Sequence, residues 1–154
     1  MQLFKRPIVI TIMSVGLWLL GRHLDVFRFL SENDEVGISA TITTLGLIYW
    51  LVAAAVLATV WSQWIQTEDA AFEKNSKRFW ELAERRMPKP VKTVLAFISF
   101  FLWAAFFFMP YNSIFAGVFT ILSITTTLSL VWEIAVDLDN PLSGIWRIKN
   151  IPPK

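Results

Sequence analysis

Four stretches of the chain are nearly free of charged residues, and their lengths constrain the fold more than any other feature. A helix needs roughly 20 apolar residues to cross the hydrocarbon core of a bilayer. Three of the stretches are that long, and the first, residues 7–20, is shorter. Leu3 and Phe4 lengthen it, because the side chains of Lys5 and Arg6 can extend from the helix to the interface. The pattern predicts an all-α integral membrane protein of four helices, with spans at about residues 3–21, 38–61, 91–109 and 114–136.

The composition supports a membrane protein and leaves little for catalysis. The chain is 55% hydrophobic and 17% charged, whereas soluble domains average about 45–50% and about 25%. The lack of cysteine excludes disulfides and thiolate metal sites, and the single histidine, His23, excludes imidazole clusters. A net charge of +2 does not favour nucleic acid as a partner. We therefore expect no enzyme activity, no cofactor and no metal.

The start of the chain fits two kinds of segment. A Lys-Arg pair followed by a short apolar run is typical of a cleaved signal peptide. Small residues at the cleavage position are missing, since Leu19, Leu20 and Gly21 stand there. We therefore predict an uncleaved signal-anchor helix.

The positions of the positive charges predict the orientation. All of the fourteen Lys and Arg residues except Arg22 and Arg28 lie in the N-terminus, in the segment between spans two and three with the adjoining Lys92, or in the tail, residues 137–154. Cytoplasmic loops keep an excess of positive charge. These twelve residues therefore predict a multi-pass protein of the bacterial inner membrane with both termini in the cytoplasm. An aromatic belt at the inner interface agrees with this orientation, and its members are Trp61, Trp64, Trp132 and Trp146.

The segment between spans two and three differs in kind from the spans. Residues 67–87 predict a cytoplasmic amphipathic helix that begins at Thr67, with Glu68 near its positive dipole end, and that Pro88 and Pro90 terminate. Two arrangements are open. The helix lies along the membrane surface, or it continues the second span as one long helix packed against its copies.

Small and hydroxyl-bearing residues follow one side of the fourth span. At 100° per residue they occupy a sector of about 80°. Such a stripe can line a water-filled path for a partly dehydrated ion, or it can allow close helix packing. Hydroxyls also lie on other faces, at Thr125, Thr126 and Ser129. We name the residues of this sector the hydroxyl stripe: Ser113, Ala116, Thr120, Ser123 and Thr127.

The chain after the fourth span is rich in polar turn residues. Pro141 cannot continue a helix, Asn140 and Ser143 can cap a turn, and Gly144 can take a left-handed bend. Acids at a helix C-terminus oppose its dipole, so Asp137 and the acids beside it need compensation from cations or backbone donors. The segment predicts an abrupt, hydrogen-bonded exit from the membrane, and a simple helix stop is the alternative.

The segment from Asp137 to Trp146 resembles the ending of bacterial bestrophin-like membrane proteins, which is an aspartate, any residue, Pro-Phe, Ser or Thr, and Gly. More distantly it is similar to the Asn-Pro-Phe-Gly element after the fourth span of true bestrophins, which are pentameric anion channels. Leu142 stands where that family has Phe, and residues 145–147 replace its calcium-binding acidic run. The resemblance implies a motif, with Glu133 as its preceding acid, made of Asp139, Asn140, Pro141, Ser143 and Gly144.

These observations support two functional hypotheses. In the first, the chain is a bestrophin-like homo-oligomer in the bilayer, a pentamer by resemblance, that conducts anions through a pore bordered by the second span or by the hydroxyl stripe of the fourth. In the second, it is a non-catalytic structural or accessory subunit that packs against other membrane subunits. A membrane enzyme would need a buried titratable pair in the bilayer, for which Glu133 is the candidate.

Overall fold

The computed structural model describes residues 5–24, 32–109, 111 and 113–153, with side chains from residue 37 onward in the second range. Between the third and fourth spans the run Pro110-Tyr111-Asn112-Ser113 predicts a tight turn, and Pro110 and Asn112 lie outside the described residues. The described chain forms helices and no strand. The helices are α1 (Lys5–His23), α2 (Glu32–Phe72), α3 (Ser76–Glu84), α4 (Lys89–Phe107) and α5 (Ile114–Leu138).

Among the described residues, three helices are long and apolar enough to cross a membrane, and they lie within α2, α4 and α5. α2 and α5 contain the second and fourth predicted spans, and α4 covers residues 91–107 of the third. α1 has 19 residues and lies at the first predicted span. It is not one of the three membrane-spanning candidates, because charged residues occupy both of its ends and shorten its apolar part. The all-helical prediction is thus confirmed, together with three apolar helices of membrane-spanning length.

α2 is much longer than a membrane requires. Its 41 residues extend over about 60 Å at 1.5 Å per residue, about twice the hydrocarbon thickness. The helix boundary therefore differs from the predicted one, because α2 runs through Thr67 and no helix begins there. Thr67 is fully buried, and its hydroxyl donates to the Gln63 carbonyl at 2.7 Å.

A tight turn after α2 sends the chain back along it. Lys74 takes a left-handed conformation with φ of 53°, and the Asn75 amide donates to the Ala70 carbonyl at 3.0 Å. The Asn75 side chain then accepts a hydrogen bond from Arg78 N and caps α3. The predicted helix over 67–87 is therefore divided between the end of α2 and the short helix α3. α3 packs through Phe79 and other buried residues against the end of α2.

α2, α4 and α5 enclose the main apolar core, in which Tyr49, Leu95 and Leu128 are buried. α1 packs mainly against α5. We call the end of the bundle that carries α3 and the tail the tail end, and the opposite end the turn end. Near the turn end, the Trp18 ring lies against Gly117 of α5, and the two helices are in close contact there.

Candidate functional site

The motif residues after α5 form a compact turn, which we call the tail turn (residues 137–148). Asn140 N donates to the Asp137 carbonyl and Ser143 N to the Asn140 carbonyl, both at 3.1 Å. The Asn140 side-chain amide donates to the Ser143 hydroxyl. Ile148 N donates to the carbonyl of Pro141, which is buried, at 2.9 Å. The polar residues predicted to form an abrupt helix exit therefore bond mainly to one another.

Asp137 and Gly144 interlock within the tail turn. The Asp137 carboxylate accepts hydrogen bonds from Ile145 N at 3.1 Å and from Trp146 N at 3.2 Å. Gly144 has a φ of +87°, a conformation that disfavours any side chain. A β-carbon at this position would also collide with the Asp137 carboxylate. The backbone donors thus compensate an acid at the negative end of the α5 dipole.

Asp139 joins the tail turn to the segment between α3 and α4. Its side chain is 3% exposed and pairs with Lys92 Nζ at 2.7 Å. The other carboxylate oxygen accepts a hydrogen bond from Met87 N. The Asp139 carbonyl accepts a further bond from the Arg86 guanidinium at 2.6 Å. The carboxylate and the carbonyl of this buried acid therefore hold the two segments together.

The tail also contacts the end of α2 through aromatic side chains. The indole of Trp64 donates to the Trp146 carbonyl at 2.6 Å, and the Trp61 and Trp64 rings stack at 5.6 Å. Trp146 meets both rings edge-on. Three of the four tryptophans predicted to form a belt thus make ring contacts with one another, whereas Trp132 lies on α5 in the wall of a groove between α1 and α4.

Glu133 has different surroundings from the acids of the tail turn. Its carboxylate pairs with the Arg6 guanidinium of α1 at 3.8 Å, and the two side chains are 19% and 80% exposed. The structure therefore separates the predicted motif into two parts. Asp137 and Asp139 hold the tail, and Glu133 faces α1 and the groove.

The hydroxyl stripe is partly covered by the rest of the chain. Ser113 and Ala116 are exposed, whereas Thr120, Ser123 and Thr127 are half-buried. The Thr127 hydroxyl donates to the Ser123 carbonyl of its own helix at 2.8 Å. This bond satisfies the hydroxyl without a partner on another helix, and serine and threonine commonly bond their own helix in this way in membrane proteins.

The hydroxyls on the other faces of α5 have three different environments. Thr126 shares a hydrogen bond with Thr11 of α1 at 3.1 Å, and the Ser129 hydroxyl donates to the Thr125 carbonyl at 2.6 Å. Thr125 is 2% exposed, and its own hydroxyl has no hydrogen-bond partner. Sequence periodicity did not single out Thr125, because its surroundings depend on where α1 and α4 dock.

Between α1 and α4 lies an open groove floored by α5, with a volume of about 320 Å³. Hydroxyl-bearing side chains, two indoles and one carboxylate line it in a largely apolar wall. The sequence carried one signal for this site, which was the acid near the end of the fourth apolar span. Polar members of its wall are Ser14, Ser99, Thr125, Ser129 and Glu133.

The turn end is fixed by a separate set of contacts. Arg22 donates to the Tyr111 carbonyl at 2.9 Å and lies over the Trp18 ring at 5.6 Å. The Tyr111 hydroxyl donates to the Phe106 carbonyl at 2.9 Å. Burial raises the pKa of Tyr111 to about 12, with a hydrogen bond to Thr120 opposing that shift. His23 is exposed at the end of α1.

In the part of the chain that the structure describes, the regular structure is helical, with three helices of membrane-spanning length and two polar centres, the tail turn and the groove. Among the described residues, no group of three or more His, Asp or Glu side chains is arranged to hold a metal ion. Comparison with protein-family models, with curated proteins and with solved structures finds no match.

Proposed function

We propose that the chain is a four-span inner-membrane protein of bestrophin-like type whose copies assemble around an axis and conduct anions. In this proposal α1 also crosses the membrane, as the first span, in addition to α2, α4 and α5. Its buried face includes Thr11 and Ser14, whereas Ile12, Met13 and Leu17 of its outer face are more than half exposed. A helix that exposes apolar side chains and buries hydroxyls suits contact with lipid rather than with water.

The observation that carries the proposed assembly is the uncovered face of α2. One seam of the helix is buried in the core, at Tyr49, Ala53, Val56 and Val60. The opposite face is exposed and includes small residues, which are Thr44, Ala54, Ala55, Ala58 and Ser62. Small residues let helix backbones approach closely in a membrane, so a second copy is the natural neighbour.

Anion selectivity follows in this proposal from the charges at the tail end. Arg85 and Lys89 are exposed there, and Lys92 is one-third exposed although it pairs with Asp139. The positive-inside rule assigns this end to the cytoplasm. A ring of several copies would place these cations around the inner mouth and attract anions to it. The half-buried hydroxyls of Thr120, Ser123 and Thr127 would face the axis.

The test is anion flux from liposomes that contain the purified full chain. We expect flux above that of empty liposomes, and a several-fold reduction when the stripe is made apolar by T120V, S123A and T127V together. T93V is the matched control, because Thr93 is an exposed threonine of α4 that bonds its own helix carbonyl. Absence of flux from the wild-type chain would overturn conduction.

One observation favours the alternative role of an accessory subunit. The carboxylates and amides of the tail turn are bonded within the chain, as expected for a structural brace. The uncovered face of α2 can also accept a helix from a different chain, provided that this helix has small residues at the contact. Crosslinking of the full chain in native membranes separates the two roles. Self-crosslinks through positions beside Ala58 favour the oligomer, whereas crosslinks to unlike subunits with no self-association favour the accessory role.

A further inference from the structure

The groove between α1 and α4 contains buried polar groups that have no partner in the described chain. The Thr125 hydroxyl and the Trp103 indole N–H are buried without a hydrogen bond, and both side chains line the groove. A polar group buried without a partner is unfavourable, so native structures rarely retain one without a reason. The volume of about 320 Å³ lies in the range of small-molecule sites. These groups point to an occupant with a polar atom.

The charge of the groove wall determines the sign of the charge that the occupant carries. The residues that line the groove include one titratable group, Glu133, at the tail end. Its partner Arg6 is 80% exposed and stands 3.8 Å away, so this pair is weak and easily exchanged. The Trp132 ring lies in the same wall. A carboxylate beside an aromatic ring is the combination that recognises organic cations.

The length of the groove defines the shape of the ligand. Thr125 and Glu133 are separated by about 12 Å along α5, at 1.5 Å per residue. Between these ends the wall is mostly apolar and includes Phe100 and Leu128, and the hydroxyl of Ser129, which also lies there, is already bonded to the Thr125 carbonyl. An elongated molecule would therefore place a charged head near Glu133 and a hydrogen-bond acceptor near Thr125 and Trp103.

We propose that this groove binds a lipophilic organic cation, with its ammonium group between Glu133 and Trp132 and its apolar body extending toward Thr125. The site belongs to a single chain and does not depend on conduction or on assembly. A neutral lipid chain in the groove is the competing occupant, and the experiment distinguishes the two by charge.

The experiment uses the full chain in nanodiscs and equilibrium dialysis, with protein-free nanodiscs subtracted. The probe is 4-acetylbenzyltrimethylammonium, and its neutral carbon isostere is 4-neopentylacetophenone. We expect saturable binding of one cation per chain, about tenfold weaker in E133Q because the charge is lost while the shape is kept. T125V should weaken binding about threefold by removing one hydroxyl.

Two further variants sharpen the test. E81Q makes the same chemical change on the exposed face of α3 and should leave binding unchanged. R6Q removes the guanidinium that competes for Glu133 and should strengthen binding about twofold to threefold. Arg6 is exposed, so this variant retains the fold, and it keeps the test decisive where E133Q fails to fold. Equal binding by the wild-type chain and E133Q, tighter binding of the neutral isostere, or no gain in R6Q would overturn the proposal.

Discussion

Asp139 of the tail turn and Glu133 of the groove lie near the same end of α5, and these two acids are held in opposite ways. Asp139 is almost completely buried and receives an ammonium group at 2.7 Å and a backbone N–H. Glu133 is more exposed and has one guanidinium at 3.8 Å. The difference teaches how to separate structure from function in this chain. A buried charge that receives close hydrogen bonds from the fold acts as a brace, whereas a weakly paired charge in the wall of an open groove is available to a ligand.

The largest expected effect is on stability at Asp139. D139A removes the partner of Lys92 and leaves the Met87 N–H without an acceptor, so we expect the free energy of unfolding to fall by about 4 kcal/mol. Unfolding in mixed micelles with an increasing fraction of SDS measures the loss. D69A is the control, since Asp69 is an exposed acid of α2. A loss at Asp139 no greater than that at Asp69 would contradict its role as a brace.

The interlocking of Asp137 and Gly144 predicts a smaller loss in the free energy of unfolding. It also predicts that substitutions at the two positions are not additive. G144A should cost about 2.5 kcal/mol, because alanine disfavours the positive φ and its β-carbon meets the Asp137 carboxylate. In a D137A background the same change should cost about 1 kcal/mol, since the collision is gone and the backbone term remains. The double-mutant cycle measures this coupling, and identical costs in both backgrounds would contradict the interlock.

The parts of the structure that depend on one segment could be predicted from the sequence. Apolar length placed α4 and α5 within about two residues of their observed ends, and the turn residues at Asn140 and Gly144 indicated the helix exit. The parts that depend on several helices could not be predicted. Lys92 and Met87, the partners of Asp139, are distant in sequence, and the groove exists only because α1 and α4 dock apart on α5.

A third expectation concerns the close contact of α1 with α5 at the turn end. G117A places a methyl group against the buried ring of Trp18, and overpacking of this kind should cost about 2 kcal/mol. G46A is the matched control, because an added β-carbon there meets nothing within 4 Å. Unfolding in the same micelles compares the two. Equal effects would mean that α1 is not held tightly at Gly117, and the contrast between this contact and the open groove would be lost.

The smallest expected effect tests the groove itself, through two adjacent threonines of α5. T126V removes the hydrogen bond to Thr11 and should cost about 0.6 kcal/mol, the usual value for such bonds between membrane helices. T125V removes a buried hydroxyl that has no partner, so without ligand it should change the free energy of unfolding by less than about 0.5 kcal/mol or should stabilise the chain. The same replacement should nevertheless weaken cation binding. A stability loss in T125V larger than that in T126V would show that the Thr125 hydroxyl is bonded within the fold, and it would then be part of a brace like Asp139.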